Sequence, residues 1–293
     1  MTSQNKSMLS GRDEALKKLN TIYIISKGRP KCTTARTLTK MDYPGEWFIV
    51  CGNNDETLDE YRENWGEHVL VFDWYDEITR TDTLDNLGFE NMASGACPVR
   101  NATRAISAAR GELRHWQFDD DYNSFRHVNN DLSKCVKFKD GEEFQSWLLA
   151  LAEFGYSASM RNIGFPPSSE TYPDHGKTFG KRVFNAHNLP STEDLFVPWV
   201  ARMNDDTINA INCWRNGGYE MSLRCMNMNM PPTQMEDGGL SDIYRAEGTV
   251  RKSAYPILVA PNAAKLVVRF GRYHHKVDWS KLAPKLLHEK WVR

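Results

Sequence analysis

The sequence predicts an α/β fold built on a mostly parallel sheet flanked by helices. Three observations carry that reading. Short β-branched runs, "TIYIIS", "EWFIVCG" and "HVLVFD", alternate with the helix-forming stretches "CTTARTLTKM" and "DETLDEYRENW", the spacing of βαβ units. A chain of 293 residues buries a substantial core, enough for one α/β domain with an elaborated C-terminal half. There is no internal repeat and no low-complexity tract to suggest a solenoid or a tail.

Taken in order, a polar start leads into a short helical stretch at "RDEALKKL", and the first strand stops at "KGRP", where Gly28 and Pro30 mark a loop. Residues 73 to 96, rich in Asp, Thr, Asn and Gly, read as a long active-site loop. In "CPVRNATRAISAARG", Pro98 near the start and Gly111 past the end bracket a helix, and "ELRHWQF" is the fourth strand. "GEEFQSWLLALAEFG" reads as an amphipathic helix closed by Gly155, with Trp147, Leu148 and Leu151 toward the core. After it come a strand at "YSASMRN", a loop over 164 to 180, a helix at "NDDTINAINCWRNGG", strands at "YEMSLRCM" and "KLVVRF", and a docking helix at "PKLLHEKWVR".

Composition narrows the function. Lys and Arg total 37 against 38 Asp and Glu, so no global basic field is present and a nucleic-acid partner has to be met by a local patch. Six cysteines without a CxxC pair fit reduced thiols, and no stretch has the roughly 20 apolar residues that cross a bilayer. These features predict a soluble cytoplasmic protein with no membrane and no protein partner. GxSxG, HExxH and Walker A strings are missing, which leaves serine hydrolase, zincin and P-loop chemistry without support.

The fourth strand runs into Asp119, Asp120 and Asp121. Alternation along a strand aims Asp119 and Asp121 at one point and Asp120 elsewhere. Two carboxylates about 4 Å apart repel by about 4 kcal/mol at a dielectric near 20, which calls for a cation between them. Oxygen ligands suit Mg²⁺ or Mn²⁺, and strand carboxyl ends are where α/β sheets bind ligands. A solvated acidic turn is the plain alternative.

The block "GACPVRNATRAISAARGELRHWQFDDDY" resembles the signature of GT-A fold, nucleotide-sugar glycosyltransferases: an Arg-Asn pair opening a helix, "A-x-G-E" at its end, a strand, then the DXD motif. With "YIISKGRP" it is similar more narrowly to bacteriophage glycosyltransferases of the TET-associated type, which are linked to hypermodified pyrimidines in DNA. The resemblance implies a Rossmann-like, nucleotide-sugar-binding half at 21–125, after an extension at 1–20, and an acceptor-binding half of the same GT-A domain at 126–293. It implies that Asp119 and Asp121 hold the metal bound to a UDP-sugar, with Asp120 near the ribose or sugar. It places Ser26, Lys27, Gly28 and Arg29 beside the nucleotide and Asn53 or Asp55 at the base. Arg100 and Asn101 at a helix start add backbone donors and the positive end of the helix dipole for the diphosphate. Of Asp205 and Asp206, one caps a late helix and the other is the base on the acceptor hydroxyl, with the choice open. One of His274 and His275 completes the metal shell, and His175 is a weaker candidate on the acceptor side.

The expected reaction is transfer from a UDP-sugar to a hydroxymethylated pyrimidine, foremost 5-hydroxymethylcytosine, in phage DNA, within an infected bacterial host. A glycan, lipid-linked sugar or protein acceptor is the alternative. A nucleotidyltransferase also uses paired aspartates but calls for a Gly-rich phosphate loop, and "SKGRPKCTTART" has a single glycine there. A non-enzymatic nucleotide-binding protein predicts no UDP release. Basic residues interleaved with aromatics offer local DNA contacts: Lys177, Lys181 and Arg182 by Phe179 and Phe184, Arg251 and Lys252 by Tyr255, and Arg269, Arg272 and Lys276 by Tyr273.

Overall fold

The computed structural model describes residues 14, 16–85, 95–129, 134–168, 177–179, 183, 185–231, 241–269 and 271–282. The first half is the expected βαβ winding: β1 (Ile22–Ile25), α1 (Thr33–Lys40), β2 (Trp47–Gly52), α2 (Leu58–Trp65), β3 (Val69–Phe72), α3 (Trp74–Arg80), α4 (Cys97–Ala109) and β4 (Arg114–Asp119). Then follow β5 (Ser124–Val128), β6 (Cys135–Lys137), α5 (Gly141–Ser157), β7 (Asn162–Phe165), β8 (Lys177–Phe179) and β9 (Ala186–Pro190). The last elements are α6 (Asp205–Arg215), β10 (Glu220–Leu223), β11 (Met226–Asn229), α7 (Ser241–Val259), β12 (Ala264–Arg269) and β13 (Arg272–Val277). Eight strands form the central sheet in the order β3-β2-β1-β4-β9-β7-β10-β8. Pairing is parallel through β3, β2, β1 and β4 and again between β7 and β10, while β9 runs antiparallel to both β4 and β7. A three-stranded sheet, β11-β5-β6, and the β12–β13 hairpin lie apart from it.

Several local expectations are corrected. Residues 73 to 96 are not all loop, because the Asp73 side chain accepts the Tyr75 and Asp76 N–H groups and so starts α3. Gly155 does not close α5; it lies within the helix, where its bare Cα lets Ile163 and the Arg114 guanidinium pack close. "YSASMRN" is mostly the end of that helix and a turn, with β7 starting at Asn162. "YEMSLRCM" is two strands, and His274 and His275 lie within β13. The "PKLLHEKWVR" segment, His175, Lys181, Arg182 and Phe184 lie outside the described residues. All six cysteines are free, as the spacing predicts.

The sheet's two faces differ in chemistry, and this positions the site. Ile22, Ile24, Trp116 and Phe118 face an apolar core shared with Leu38, Phe125, Phe144 and Leu148. Phe125 and Phe144 stack there at 4.3 Å. On the opposite face the alternate residues Tyr23, His115 and Gln117 are buried but polar. Tyr23 Oη donates to Glu112 Oε1 at 2.8 Å, His115 Nδ1 lies 3.0 Å from Ser107 Oγ on α4, and Gln117 Nε2 donates to the Arg100 carbonyl at 2.9 Å. Asp119 is next in that alternation, so it leaves the strand on the α4 side.

Candidate active site

Two separate contacts divide the aspartate triplet. Asp119 Oδ1 accepts from Arg100 Nη2 at 3.2 Å, whereas Asp120 turns the other way, its Oδ1 on Arg29 Nη1 at 2.8 Å and its Oδ2 on Ser26 Oγ at 2.5 Å. The strand ends at Asp119, and the turn beyond it is held by Thr34 at the start of α1. Thr34 Oγ1 donates to the Asp119 carbonyl at 2.6 Å and accepts the Tyr122 N–H at 2.9 Å, and its own N–H reaches the Asp120 carbonyl at 3.1 Å. None of those three bonds uses a carboxylate, so the turn is held without drawing on the acidic side chains.

The loop after β1 is fixed by buried partners. Tyr61 Oη lies 2.5 Å from Ser26 Oγ and accepts the Arg29 N–H at 2.9 Å. Gly28, at φ 68, donates its N–H to Asp55 Oδ2 at 2.8 Å, with open space where a Cβ would stand. The left-handed backbone there is the kind glycine adopts without strain. Asp55 Oδ1 takes the Thr57 N–H and hydroxyl, at 2.9 and 2.8 Å. Both Asp55 oxygens therefore shape the loop. Asn53 is exposed, its Oδ1 accepting the Trp74 N–H at 3.0 Å, and Lys27 Nζ lies 5.6 Å from the Trp74 ring centre.

Arg100 joins the two halves. It is buried, with Nε on Asp205 Oδ2 at 3.0 Å and Nη2 on Asp119, and its guanidinium lies 4.6 Å from the Trp199 ring centre. Nη1 has no hydrogen-bond partner among the described residues. Asn101 does not face the same cleft: its amide bonds the Trp199 backbone at both ends, Oδ1 from N–H at 2.9 Å and Nδ2 to the carbonyl at 3.0 Å. It thereby holds the indole on which Arg100 rests. Asp206 Oδ1 accepts the Thr207 N–H at 2.9 Å, so the acidic pair splits into a residue bonding the helix's own backbone and a residue on Arg100.

His274 and His275 stand on opposite faces of β13. His275 Nδ1 lies 3.0 Å from Asn204 Nδ2, the residue that opens α6, and so reaches the edge of the site. Asn204 adopts a left-handed φ of 66, and Ala201 one of 81. This strained approach is fastened by Arg202, whose Nε and Nη2 reach Asp85 at 2.9 and 3.0 Å, with Tyr255 Oη also donating to Asp85. Tyr255 is thus spent inside the protein and is not a stacking surface for a base.

Crowding shows in the titration of the cluster. Burial pushes the Asp119 carboxyl up to about 7; Arg100 opposes the rise, and the carboxylates of Asp121, Asp205 and Asp120 add to it. Burial works against the Arg100 charge, but Asp119 and Asp205 outweigh it and hold its pKa above the ordinary value. One guanidinium is set among several carboxylates, which leaves room for a further cation. Among the described residues no three His, Cys, Asp or Glu side chains form a ready metal cage. Such a site suits an ion held by one or two carboxylates and completed by water and phosphate.

With this geometry in place, the comparisons are specific. Residues 20–163, just under half the chain, match the family model of TET-associated glycosyltransferases. The chain resembles that family. The matched segment holds the Ser26–Arg29 loop, Arg100 and the aspartate triplet, and the enzyme class that the match supports is glycosyltransferase. No curated protein matches the sequence. Among solved structures, one of GalNAc-T7 with UDP, GalNAc and Mn²⁺ is 12% identical with a TM-score of 0.40; the match covers 83% of this chain and 52% of that chain. Sequence reading missed Tyr61, Trp199 and Asn204, which hold the site residues without being chemically conspicuous. The signal for Asn204 was its place beside the acidic pair; Tyr61 and Trp199 read as ordinary core aromatics.

Proposed function

We propose that this chain transfers a sugar from a UDP-sugar to a hydroxymethylated pyrimidine in DNA, foremost 5-hydroxymethylcytosine, with Mn²⁺ or Mg²⁺ bound. The observation that carries the reading is Arg100 tying Asp119 at a strand end to Asp205 at the start of α6. It brings a metal-and-phosphate corner and a proton acceptor to one place. Asp119 and Asp121 would hold the divalent ion, a donor set in keeping with hard cations. When bound, the ion would supply charge neutralisation to the diphosphate as it leaves.

The remaining work falls to the chain. Asp120, Ser26 and Arg29 form the nucleotide side, with Lys27 and the Gly28 backbone at its rim. Arg100 Nη1, buried without a hydrogen-bond partner among the described residues, would donate to an oxygen of the bound sugar or diphosphate. Asp205 receives the acceptor hydroxyl's proton if the reaction inverts configuration, and its Arg100 contact fixes the carboxylate at the start of α6 for that role. His275 stands by at the edge of the site through Asn204. The family name favours a DNA acceptor, and no described helix is long and apolar enough to cross a membrane.

The test is direct. The protein is incubated with a panel of UDP-sugars, manganese, and duplex DNA with or without 5-hydroxymethylcytosine, and the digested nucleosides are weighed by mass spectrometry. A mass gain of one sugar confined to the hydroxymethylated substrate is expected. Donor turnover with transfer only to a glycan or protein would move the assignment to those acceptors, and no transfer with any donor would overturn it.

A further inference from the structure

The β12–β13 hairpin is a concentrated basic element in a chain of balanced charge. Residues 264–277 hold Lys265, Arg269, Arg272 and Lys276, two histidines and no acid, against whole-chain totals of 37 and 38. Register places like charges directly opposite each other: Lys265 faces Lys276 and Arg269 faces Arg272, with Val267 opposite His274 between them. Alternation puts these six residues on one face. All four cations are exposed, and among the described residues none makes an ion pair. Asp278, the adjacent acid, accepts from Ser280 Oγ at 2.6 Å, lies 4.0 Å from Lys281 Nζ and is also within the field of Lys276.

Directly opposed like charges weaken a strand pair, so this arrangement opposes the hairpin's own stability unless an anion covers it. The anion has to be extended. Lys265 to Arg269 spans roughly 14 Å along an antiparallel strand, the axial length of about four phosphates on one DNA strand. A two-stranded ribbon also fits the major groove, the groove onto which C5 of a pyrimidine opens. The base of the hairpin is tied to the body of the protein, while Leu266, Val268 and Tyr273 toward its tip are exposed: Ala264 is buried, Ser253 Oγ on α7 donates to the Tyr273 carbonyl at 3.1 Å, and His275 meets Asn204, one residue from Asp205.

We propose that this hairpin is the DNA-docking element, its Lys265, Arg269, Arg272 and Lys276 face lying on backbone phosphates while its His275 side ties that contact to the α6 end of the site. The proposal rests on the reading of DNA as acceptor. It is tested by binding rather than turnover, so the two can fail separately. Fluorescence anisotropy of a labelled 5-hydroxymethylcytosine duplex is measured over a salt series for the wild type and for K265Q/R269Q/R272Q/K276Q. Loss of four phosphate contacts is expected to cut affinity at least ~10-fold and to flatten the slope of log K against log salt by about 3.

A control neutralising four exposed cations elsewhere, K17Q/K40Q/R62Q/K137Q, should change the slope by less than about 1. The hairpin variant should melt no lower than wild type, because its repelling pairs are gone. Should it misfold, K265Q/R269Q alone is expected to give about half the slope change. An unchanged slope in a folded hairpin variant, an equal loss in the control, or binding of the wild type to phosphatidylserine vesicles but not to duplex would each overturn the proposal.

Discussion

The two halves of this molecule build the same site by different means. Through β4, the side chains come from strand ends and helix starts, placed by the regular geometry of parallel βα units: Ser26 after β1, Arg100 in the first turn of α4, Asp119 as the last residue of β4. From β9 onward, position comes from buried polar fastening. Arg202 and Tyr255 share Asp85, and Asn209 Nδ2 donates to the Val197 carbonyl at 3.1 Å. Arg114 is buried with its donors on Asn188 Oδ1 at 2.6 Å and on the Asn188 and Met160 carbonyls at 2.7 Å each. Topology brings the first-half residues to one sheet edge and short bonds from Tyr61, Asp55 and Thr34 trim their loops, whereas the second half depends on long-range buried bonds for its course as well.

That contrast predicts where a substitution affects chemistry and where it affects folding. The largest effect is expected from Asp121→Asn or Asp119→Asn. Each should lower kcat/KM for donor-dependent transfer by about 10³-fold, equivalent to about 4 kcal/mol, because on the proposed reading a divalent ion would lose a carboxylate. Melting should change little in Asp121→Asn, since Thr34 holds the backbone of that turn independently of the carboxylates, whereas Asp119→Asn also takes a carboxylate from buried Arg100 and should melt lower. Manganese-dependent UDP release and a thermal melt on the same samples check it. Full activity in both variants would remove the metal-and-phosphate corner from the proposed function.

The split also explains what the sequence disclosed. The βαβ order, the helix bracketed by Pro98 and Gly111, and the aspartates at a strand end all follow from periodicity and local chemistry, so they were legible. The C-terminal geometry was less so. Nothing in "VARMNDD" announces that Ala201 and Asn204 adopt left-handed backbone, because each is held there by partners distant in sequence: the Asp82 carbonyl takes the Ala201 N–H at 2.8 Å, and Arg202 reaches Asp85. Gly95 shows the same dependence. A Cβ there would stand 2.3 Å from the Arg202 carbonyl oxygen, a close approach that no local pattern reveals. The sequence offers the backbone of Asn101 at a helix start as a donor; that its side-chain amide holds Trp199 is a contact set by tertiary packing and leaves no local trace.

A smaller effect on catalysis and a clear one on stability are expected from Asp85→Asn. The fully buried Arg202 guanidinium would keep its charge and lose its carboxylate, a change that costs about 3 kcal/mol. In a chain of this size that lowers the melting temperature by roughly 5 °C. KM for the acceptor should rise more than kcat falls, because the strain at Ala201 and Asn204 relaxes and His275 loses its anchor while Asp119 stays in place. Differential scanning fluorimetry with steady-state kinetics measures both. A normal melting temperature would show that the second half does not depend on this fastening.

The smallest effect tests the polar interior beneath the site. Glu220 on β10 is buried beside Asn162, whose Nδ2 donates to it at 3.2 Å and lies 3.0 Å from His187 Nδ1. Burial pushes its carboxyl up to about 8, with Asn162 and Cys213 opposing the rise. A carboxyl whose pKa is raised on folding keeps its proton when the unfolded chain has released it. Its contribution therefore favours the fold below the ordinary carboxylate range and is lost as pH climbs toward 8. Glu220→Gln removes that dependence. Between pH 5 and 8 the wild type should lose stability relative to the variant by no more than about 1.4 kcal/mol per pH unit. Asp119, raised in the same direction, is present in both proteins and cancels from the difference. Parallel melting curves across that range would mean that Glu220 is ionised in the fold. The interior of the second half would then carry a buried negative charge rather than a neutral hydrogen-bonded acid.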